Sequence, residues 1–256
     1  MFKLSTDTEK LREKAVKEGK FEDDFTEKSP YWDWRIDNFA GYEVKDSILR
    51  MYMGPTEALF YSNVEISDGD FYELPWRFKT FEAKIRLQGK PYGSAGWGFW
   101  NYTMVIDNCQ PIWFIHLMSR GPYPFQGFFA QVGHGFVPIV IYKPNFQLKA
   151  AYYVSKISEN IANVKIYTLK PTMQDLNVEE WHVYKVDWKE KVKFYIDDKL
   201  VATIPFKGGD AKARADIWID NAVYSWSKND AGNVYRHVTQ ENRRRYFLEV
   251  DYVKVY

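Results

Sequence analysis

The chain has little of what would place it in several common protein classes. It contains one cysteine, Cys109, among 256 residues, so no disulfide can form within it. This excludes a disulfide framework, although a single cysteine is only weak evidence for a reducing compartment. No stretch approaches the ~20 consecutive apolar residues that span a membrane. The first residues, MFKLSTDTEKLREKAVKEGK, also lack the apolar run of a secretory signal. We therefore expect no membrane partner and, by default, a cytoplasmic location.

An excess of charge of one sign is also absent. The chain has 35 Lys and Arg against 34 Asp and Glu, a formal net charge of +1. Nucleic-acid binding needs a concentrated basic surface, and the one dense basic run, Arg243-Arg244-Arg245, is typical of a solvated loop. We expect no nucleic-acid partner.

Histidines are few, and their spacing does not indicate a metal site. The four are His116, His134, His182 and His237, and none of their separations matches a metal-binding motif. The sequence therefore predicts no required cofactor.

Aromatic residues, in contrast, are abundant. Ten Trp, 19 Tyr and 18 Phe make up 18% of the chain. Aromatic side chains fill the cores of β-sandwiches, and they also form flat platforms on which sugar rings stack. Most of them are expected in a core, and the question is which remain for a ligand.

From residue 34 onward the sequence has the periodicity of β-strands. Residues 81–87, FEAKIRL, alternate apolar and charged side chains, which is typical of a half-buried strand. PIWFIHLM is apolar on both faces and predicts a strand in the middle of a sheet, while VKFYIDDKLVATI predicts a hairpin that turns at Asp197-Asp198. Many short strands with regular turns favour an all-β, two-sheet antiparallel β-sandwich.

Two segments have helical patterns. Residues 7–20 predict a short N-terminal helix that ends near Gly19; residues 1–24 would form an arm before a sandwich domain of residues 25–256. Residues 147–162 predict a helical insertion. Two roles stay open for this insertion, a lid over one sheet face or a helix packed permanently on the rim.

Several strand phrases, in this order, resemble the family 16 glycoside hydrolases. They are WRFKTFEAKIRLQGK, GWGFWN, EWHVYKVDWKEKVKFYIDDKLVATI and FLEVDYVKVY. The resemblance runs from about Ile48 to Tyr256. It implies a concanavalin-like jelly roll and an oligo- or polysaccharide partner.

The catalytic strand of that family reads E-x-D-x-E, or E-x-D-x-x-E with a bulge. The resemblance places QGFFAQVGH there, with Gln126, Phe128 and Gln131 in place of the nucleophile, the intervening aspartate and the acid/base. No Glu or Asp lies anywhere from Cys109 to Asn145. A retaining glycosidase needs two carboxyl groups about 5–5.5 Å apart, whereas a glutamine amide can only donate and accept hydrogen bonds. We therefore predict a glycan-binding cleft without the usual Glu/Asp/Glu hydrolytic machinery.

The predicted ligand-binding set joins this amide pair to nearby aromatic and polar side chains. The strands predicted on either side of the cleft contribute tryptophans. Trp113 and His116 lie on one strand and should face opposite sides of it, so at most one of them points into the cleft. The complete set is Trp97, Trp100, Trp113, His116, Gln126, Phe128, Gln131, His134, Trp218 and Asp220.

A rival interpretation is a polysaccharide lyase. The phrase Gln131-Val132-Gly133-His134 is similar to the Q-V-x-H of family 7 polysaccharide lyases, another jelly-roll group. That resemblance implies that Gln131 neutralises a uronate carboxylate while His134 and Tyr224 handle the proton. Asp220 stands where that group carries a lysine.

Other interpretations also stay open. Hydrolysis by unrelated carboxylates would use Asp107, Glu73 or Asp220. Together with the lyase interpretation, this makes Gln131, His134 and Asp220 the catalytic candidates. A structural or assembly protein could use the same fold without a ligand. The glycosidase resemblance further implies a possible structural calcium, which some members of that family hold with an aspartate of the last strand. Two roles stay open for Asp251 and the Glu22-Asp23-Asp24 run, ligands of such a calcium or ordinary surface residues.

Overall fold

The computed structural model describes residues 6–55, 61–69, 73–89, 91–101, 110–119, 124–143, 146–157, 164–224, 235–237 and 245–256. The two helices of these ranges are α1 (Thr6–Glu18) and α2 (Phe146–Ile157). The strands are β1 (Phe21–Asp23), β2 (Asp33–Asp37), β3 (Ala40–Lys45), β4 (Ile48–Met53), β5 (Asn63–Ser67), β6 (Thr80–Gln88), β7 (Ala95–Trp100), β8 (Ile112–Met118), β9 (Gln126–Val132), β10 (Gly135–Lys143), β11 (Lys165–Ile166), β12 (His182–Asp187), β13 (Lys191–Ile196), β14 (Lys199–Pro205), β15 (Arg214–Asp220), β16 (Ala222–Tyr224), β17 (Tyr235–His237) and β18 (Tyr246–Val255).

Within the described ranges, these strands form two eight-stranded sheets and one small ribbon. Sheet A has the order β14-β13-β12-β6-β18-β4-β3, and β1 pairs with β18. Sheet B has the order β11-β10-β9-β8-β7-β15-β5-β2, and β16 pairs with β17. Neighbouring strands are antiparallel except β10 and β11, which are parallel. The predicted two-sheet sandwich is confirmed.

The main core lies between the two sheets, because alternate residues of their strands meet there. Every second residue of β6 is buried, as its alternation predicts. Aromatic rings cross from sheet to sheet: Phe81 of sheet A lies 5.9 Å from Phe99 of sheet B. Phe194 of sheet A likewise lies 5.2 Å from Phe114 of sheet B. This packing fixes one face of each sheet inward and leaves the other face outward.

Local turn chemistry agrees with the sequence at the predicted hairpin. β13 and β14 are joined by Asp197 and Asp198, with φ angles of 48° and 62°. Two successive positive φ angles match the right-handed twist of a two-residue hairpin, and Asp tolerates them better than most residues. The predicted turn is confirmed.

The N-terminal helix is tied to the sandwich. In α1, Nε of Arg12 donates to the Tyr31 carbonyl at 3.0 Å and Ala15 is part of the main core. The helix ends as predicted at Gly19, whose φ is 68°; the Lys20 amide then donates to the Ala15 carbonyl at 3.1 Å. β1, inside the predicted arm, adds a strand to sheet A.

The second helix covers part of the outer face of sheet B, the face turned away from sheet A. Leu148 and Ala151 of α2 belong to a second buried cluster together with Trp113 and Trp218 of that face. The predicted insertion is therefore a helix, but it ends at Ile157, and residues 158–162 of the prediction lie outside the described ranges. In the part of the chain that the structure describes, neither helix has the length and apolar character needed to cross a membrane.

Candidate ligand-binding face of sheet B

The two glutamines of β9 face opposite sides of the sheet. β9 pairs with β8 without a break in register, and successive side chains of a regular strand alternate between faces. Gln126 and Gln131 are an odd number of residues apart, so they cannot share a groove. The prediction of a common floor is wrong because it assumed a bulge in β9, whereas the register irregularities lie in the pairing of β9 with β10, between Pro138 and Val140 and beyond Ile141.

Gln126 points into the sandwich, where it binds His116. The two Nε2 atoms lie 3.1 Å apart, and Nδ1 of His116 lies 3.2 Å from the Gly93 carbonyl oxygen. A carbonyl only accepts, so Nδ1 carries the proton and Nε2 of His116 accepts from the Gln126 amide. Burial lowers the pKa of His116 to about 4, with the Gly93 bond opposing. Both residues are interior polar groups that satisfy each other, and their predicted contact with a ligand is wrong.

Two further predicted ligand contacts are interior as well. Trp97 and Phe128 are fully buried and belong to the main core. Their ring centroids lie 5.4 Å apart, and Trp97 also packs at 4.8 Å against Tyr184 of sheet A. They fill the space between the sheets, so a ligand on the outer face does not reach them.

Gln131 does face outward, beside Trp113. Its Oε1 accepts from the Trp113 indole at 2.7 Å, and its Nε2 donates to the Gly133 carbonyl at 2.7 Å. Both ends of the amide are therefore engaged within the protein. His134 follows in the exposed turn before β10, and its backbone carbonyl accepts from the Lys165 amide at 2.8 Å.

Three of the predicted tryptophans form one cluster on the outer face. Trp113 lies 4.3 Å from both Trp100 and Trp218, measured between ring centroids. Trp218 lies over Gly96, where a Cβ atom would overlap its ring. Trp113 and Trp218 are buried in the cluster that also contains Leu148 and Ala151 of α2, whereas Trp100 stays partly exposed. Of the three, Trp100 is the candidate stacking platform, and the other two support it.

Asp220 joins three chain segments at the edge of this face. Its Oδ1 accepts from the Ser94 amide at 3.1 Å, the Ser94 hydroxyl at 2.8 Å and the Ala222 amide at 3.0 Å. Its Oδ2 accepts from the Tyr61 hydroxyl at 3.4 Å. Burial raises the pKa of Asp220 to about 6, although these bonds oppose the rise. The bonding pattern is that of a structural carboxylate.

The remaining catalytic alternatives do not come together. Glu73 lies beside α1, 3.7 Å from Arg12, and lines a surface cavity of about 590 Å³ with that helix. Asp107 and the side chain of Tyr224 lie outside the described residues. The structure therefore does not bring Glu73 to Asp220.

The outer face also carries a row of side chains that sequence reasoning missed. Arg35 of β2, Glu65 of β5 and Trp218 of β15 are direct cross-strand neighbours, and Gly96 of β7 continues the row. Cross-strand neighbours on one face have Cβ atoms about 4.5–5.5 Å apart. Arg35 is exposed and Glu65 partly exposed. Charged groups and an aromatic ring therefore lie side by side here.

A second row runs parallel to the first. Ser67, Asp216, Gly98, Trp113 and Gln131 follow one another across five strands. The outward residues of β8 and β9 in these two rows, such as Trp113 and Gln131, carry no charge. No Glu or Asp is present from residue 110 to residue 143. The carboxylates of this face lie instead on β2, β5 and β15.

Two of these carboxyl groups form a pair. Arg214 holds both, with Nη2 at 3.4 Å from Glu65 Oε1 and Nε at 3.3 Å from Asp216 Oδ2. Burial raises the pKa of Asp216 well above its ordinary value; the charge and hydrogen bond of Glu65 add to this, and Arg214 opposes it. Asn63 donates to Glu65 Oε2 at 3.4 Å, and within the described part of the chain the buried Oδ1 of Asn63 has no hydrogen-bond partner.

Comparisons with known proteins identify the fold. No protein-family model and no curated protein matches this chain. Among solved structures, one of the endo-acting O-glycanases that prominent members of the human gut microbiota express to initiate mucin breakdown matches 92% of this chain and 97% of its own. Its identity is 13% and its TM-score 0.51. The κ-carrageenase of Pseudoalteromonas carrageenovora, in complex with an oligotetrasaccharide of κ-carrageenan, matches 91% of this chain and 92% of its own, with 11% identity and a TM-score of 0.53.

The chain has a concanavalin-like jelly-roll fold. At these identities the likeness concerns the fold alone. It confirms the predicted architecture, and the matches cover more than nine-tenths of each chain. The face that carries the tryptophan cluster and the Arg35–Glu65 row belongs to this jelly roll.

The structural calcium that the resemblance implied does not fit the side chains present. Asp251 binds Lys84 at 2.6 Å, Glu22 binds Lys254 at 2.9 Å, and Asp23 accepts from the Trp32 indole at 2.7 Å. Each acid thus has its own partner. Among the described residues, no three His, Cys, Asp or Glu side chains are grouped as metal ligands would be.

Proposed function

We propose that this chain binds an oligo- or polysaccharide on the outer face of sheet B, between Trp100 and Arg35, and does not hydrolyse it by the Glu/Asp/Glu route. The observation that carries the proposal is the position of Arg214. It pairs in register with Trp100, and its guanidinium reaches Glu65, which neighbours Arg35. An aromatic surface and charged hydrogen-bonding groups therefore adjoin on one face.

The band of outer face between Trp100 and Arg35 has the hydrogen-bonding groups that sugar hydroxyls need. Such hydroxyls both donate and accept, so they need donors such as the arginines and acceptors such as Glu65. Trp100 supplies an apolar face for a sugar ring. From β7 to β2 the band spans three inter-strand spacings, roughly 14 Å.

The carboxyl pair supports recognition rather than cleavage. Glycosidases keep their two carboxyl groups about 5–5.5 Å apart when retaining and about 6.5–9.5 Å apart when inverting. Asp216 and Glu65 are instead both held by the guanidinium of Arg214, at 3.3 and 3.4 Å. Asp216 is also only 2% exposed, so a glycosidic oxygen has little access to it.

The test is binding together with product analysis. An array of mucin O-glycans, κ-carrageenan oligosaccharides and β-glucans should show retention of the wild-type chain by at least one glycan. Incubation with that glycan should release no reducing ends. Release of reducing ends would support hydrolysis by other residues, and the ultraviolet absorbance of an unsaturated uronate would support the lyase interpretation. Either result, or no binding to any glycan, contradicts the proposal.

A further inference from the structure

The row of Arg35, Glu65 and Trp218 is bordered on both sides by acidic rows. Each bordering row carries two aspartates and one neutral polar residue. The rows are Asp33, Ser67 and Asp216 on one side, and Asp37, Asn63 and Asp220 on the other. On the described strands β2, β5 and β15, neither bordering row contains a lysine or an arginine. The candidate glycan face is therefore rich in carboxyl groups on both sides of Arg35.

Both arginines of the band are shared between two carboxyl groups. Nε of Arg35 lies 2.8 Å from Oδ2 of Asp37, and its Nη1 lies 3.9 Å from Oε2 of Glu65. Arg214 lies 3.4 Å from Glu65 and 3.3 Å from Asp216. Glu65 therefore contacts both guanidinium groups and lies at the centre of this network. The charge of each arginine is compensated within the protein.

A third arginine, at the margin of the face, follows the same pattern. Arg12 of α1 lies 3.1 Å from Asp33 and 3.7 Å from Glu73. Asp220 accepts from neutral donors, such as the hydroxyl of Ser94. The acids of the three rows are Asp33, Asp37, Glu65, Asp216 and Asp220. These acids outnumber the arginines beside them, so the face offers no surplus of positive charge to a ligand.

We propose that this face, taken as the glycan-binding site proposed above, selects uncharged glycans and rejects sulfated or carboxylated ones. Proteins recognise a sulfate or a carboxylate with arginines or lysines that form charge-assisted hydrogen bonds. An anionic substituent that reaches Arg35 also meets Asp37 and Glu65, and like charges brought together at an interface lower affinity. A sugar hydroxyl carries no charge, so it can accept from Arg35 without repulsion by either acid.

The test uses pairs of glycans that differ only in their anionic groups. The probes are κ-carrageenan oligosaccharides before and after desulfation, mucin O-glycans before and after removal of sialic acid, and β-glucan oligosaccharides before and after sulfation. In each pair that the wild-type chain recognises, the uncharged member should bind at least about tenfold more tightly. Added salt should narrow this difference, because salt screens the repulsion between charges.

The outcomes separate the selectivity from the proposed function on which it rests. Equal or tighter binding of the anionic member in a recognised pair overturns the selectivity and leaves the glycan site standing. Failure to bind either member of any pair overturns both.

Two variants test whether the acids cause the selectivity. Glu65→Gln removes the carboxylate that both arginines share. Asp37→Asn removes the more exposed partner of Arg35, and it tests the same network at a position that is less buried than Glu65. Each variant should bind the anionic member of a pair about tenfold more tightly than wild type does, because the charge of Arg35 is then less compensated.

A matched control removes a carboxylate from an arginine on the other sheet. Glu43 lies 3.2 Å from Arg50, and both belong to sheet A. Glu43→Gln should discriminate between the members of each pair as wild type does, and thermal unfolding checks that every variant is folded. Discrimination at the wild-type level in folded Asp37→Asn and Glu65→Gln overturns the proposal, as does an equal gain of anionic binding in Glu43→Gln.

Discussion

Nε of Arg214 lies 3.3 Å from Oδ2 of Asp216, and Nη2 of the same guanidinium lies 3.4 Å from Oε1 of Glu65. The two acids come from neighbouring strands of sheet B: Asp216 lies two residues along β15 from Trp218, which is directly opposite Glu65. Burial raises the pKa of Asp216 well above its ordinary value; Glu65 adds to this rise and Arg214 opposes it. Burial therefore disfavours the ionised form of Asp216 in the folded chain.

This arrangement predicts different costs for two substitutions. Asp216→Asn keeps the shape of a side chain whose ionised form burial disfavours, so the free energy of unfolding at neutral pH should change by less than about 1 kcal/mol. Arg214→Met leaves Glu65 without its buried cationic partner and should cost about 3–5 kcal/mol. Urea unfolding of both variants measures this. A loss of several kcal/mol in Asp216→Asn would show that an amide cannot replace the carboxyl at this position.

The opposite faces of β9 predict unequal tolerance of a carboxylate. Gln126→Glu places an acid inside the sandwich beside neutral His116 and should lower the free energy of unfolding by roughly 2–4 kcal/mol. Gln131→Glu keeps the acceptor for Trp113 and loses only the bond to Gly133, so about 1 kcal/mol is expected. Chemical denaturation of the two variants compares them directly. Equal costs would mean that the two side chains share one environment.

The Trp218 ring leaves no room for a side chain at Gly96, so a glycine should be required there. A Cβ atom at Gly96 would overlap Trp218, so Gly96→Ala should destabilise the protein by about 1–3 kcal/mol. Combining Gly96→Ala with Trp218→Leu should cost less than the sum of the two single changes, because the smaller side chain leaves room. Strictly additive costs in urea unfolding would argue that the ring does not lie over the glycine.

Asp220 predicts a specific dependence of stability on pH. Its folded pKa of about 6 exceeds the unfolded value of about 4. Between these values the folded state binds more protons, so the free energy of unfolding falls as pH rises. Asp220→Asn lacks this titration. The stability of wild type relative to this variant should therefore fall by roughly 3 kcal/mol between about pH 4 and pH 7.

The comparison of wild type with Asp220→Asn isolates the effect of Asp220 on the pH dependence of stability. His116, with its pKa lowered to about 4, has the opposite effect, because the unfolded state binds more protons in the same range. That contribution is present in both proteins and cancels in the difference. A difference that stays constant or grows with pH would contradict the assignment for Asp220.

The fold was predictable because periodicity and turn chemistry are local. The alternation of β6 and the Asp197-Asp198 turn could be recognised from a few residues each. The site was less predictable, because the face on which a side chain lies depends on strand register. The bulge assumed in β9 assigned Gln126 to the wrong face of the sheet. The buried cluster that joins Trp113 to residues of α2 depends on tertiary packing, which strand patterns do not contain.

The carboxyl pair needed the same kind of long-range information. Glu65 and Asp216 are far apart in the chain and meet only because β5 and β15 are neighbours. One local signal was present. Both NVEIS and RADIWID place polar or charged residues at alternate positions of otherwise buried strands, and such residues need a partner or a function.

The most direct test of the account is titration of a glycan retained on the array against wild type, Arg35→Ala and Arg50→Ala. Arg35 and Arg50 both have solvent-accessible side chains with carboxylate partners, but Arg50 lies on sheet A. If the glycan lies on the outer face of sheet B, Arg35→Ala weakens binding about tenfold, the loss of one charge-assisted hydrogen bond of about 1.5 kcal/mol, while Arg50→Ala binds as wild type does. Unchanged binding by Arg35→Ala, or an equal loss in both variants, would contradict a glycan site on the outer face of sheet B.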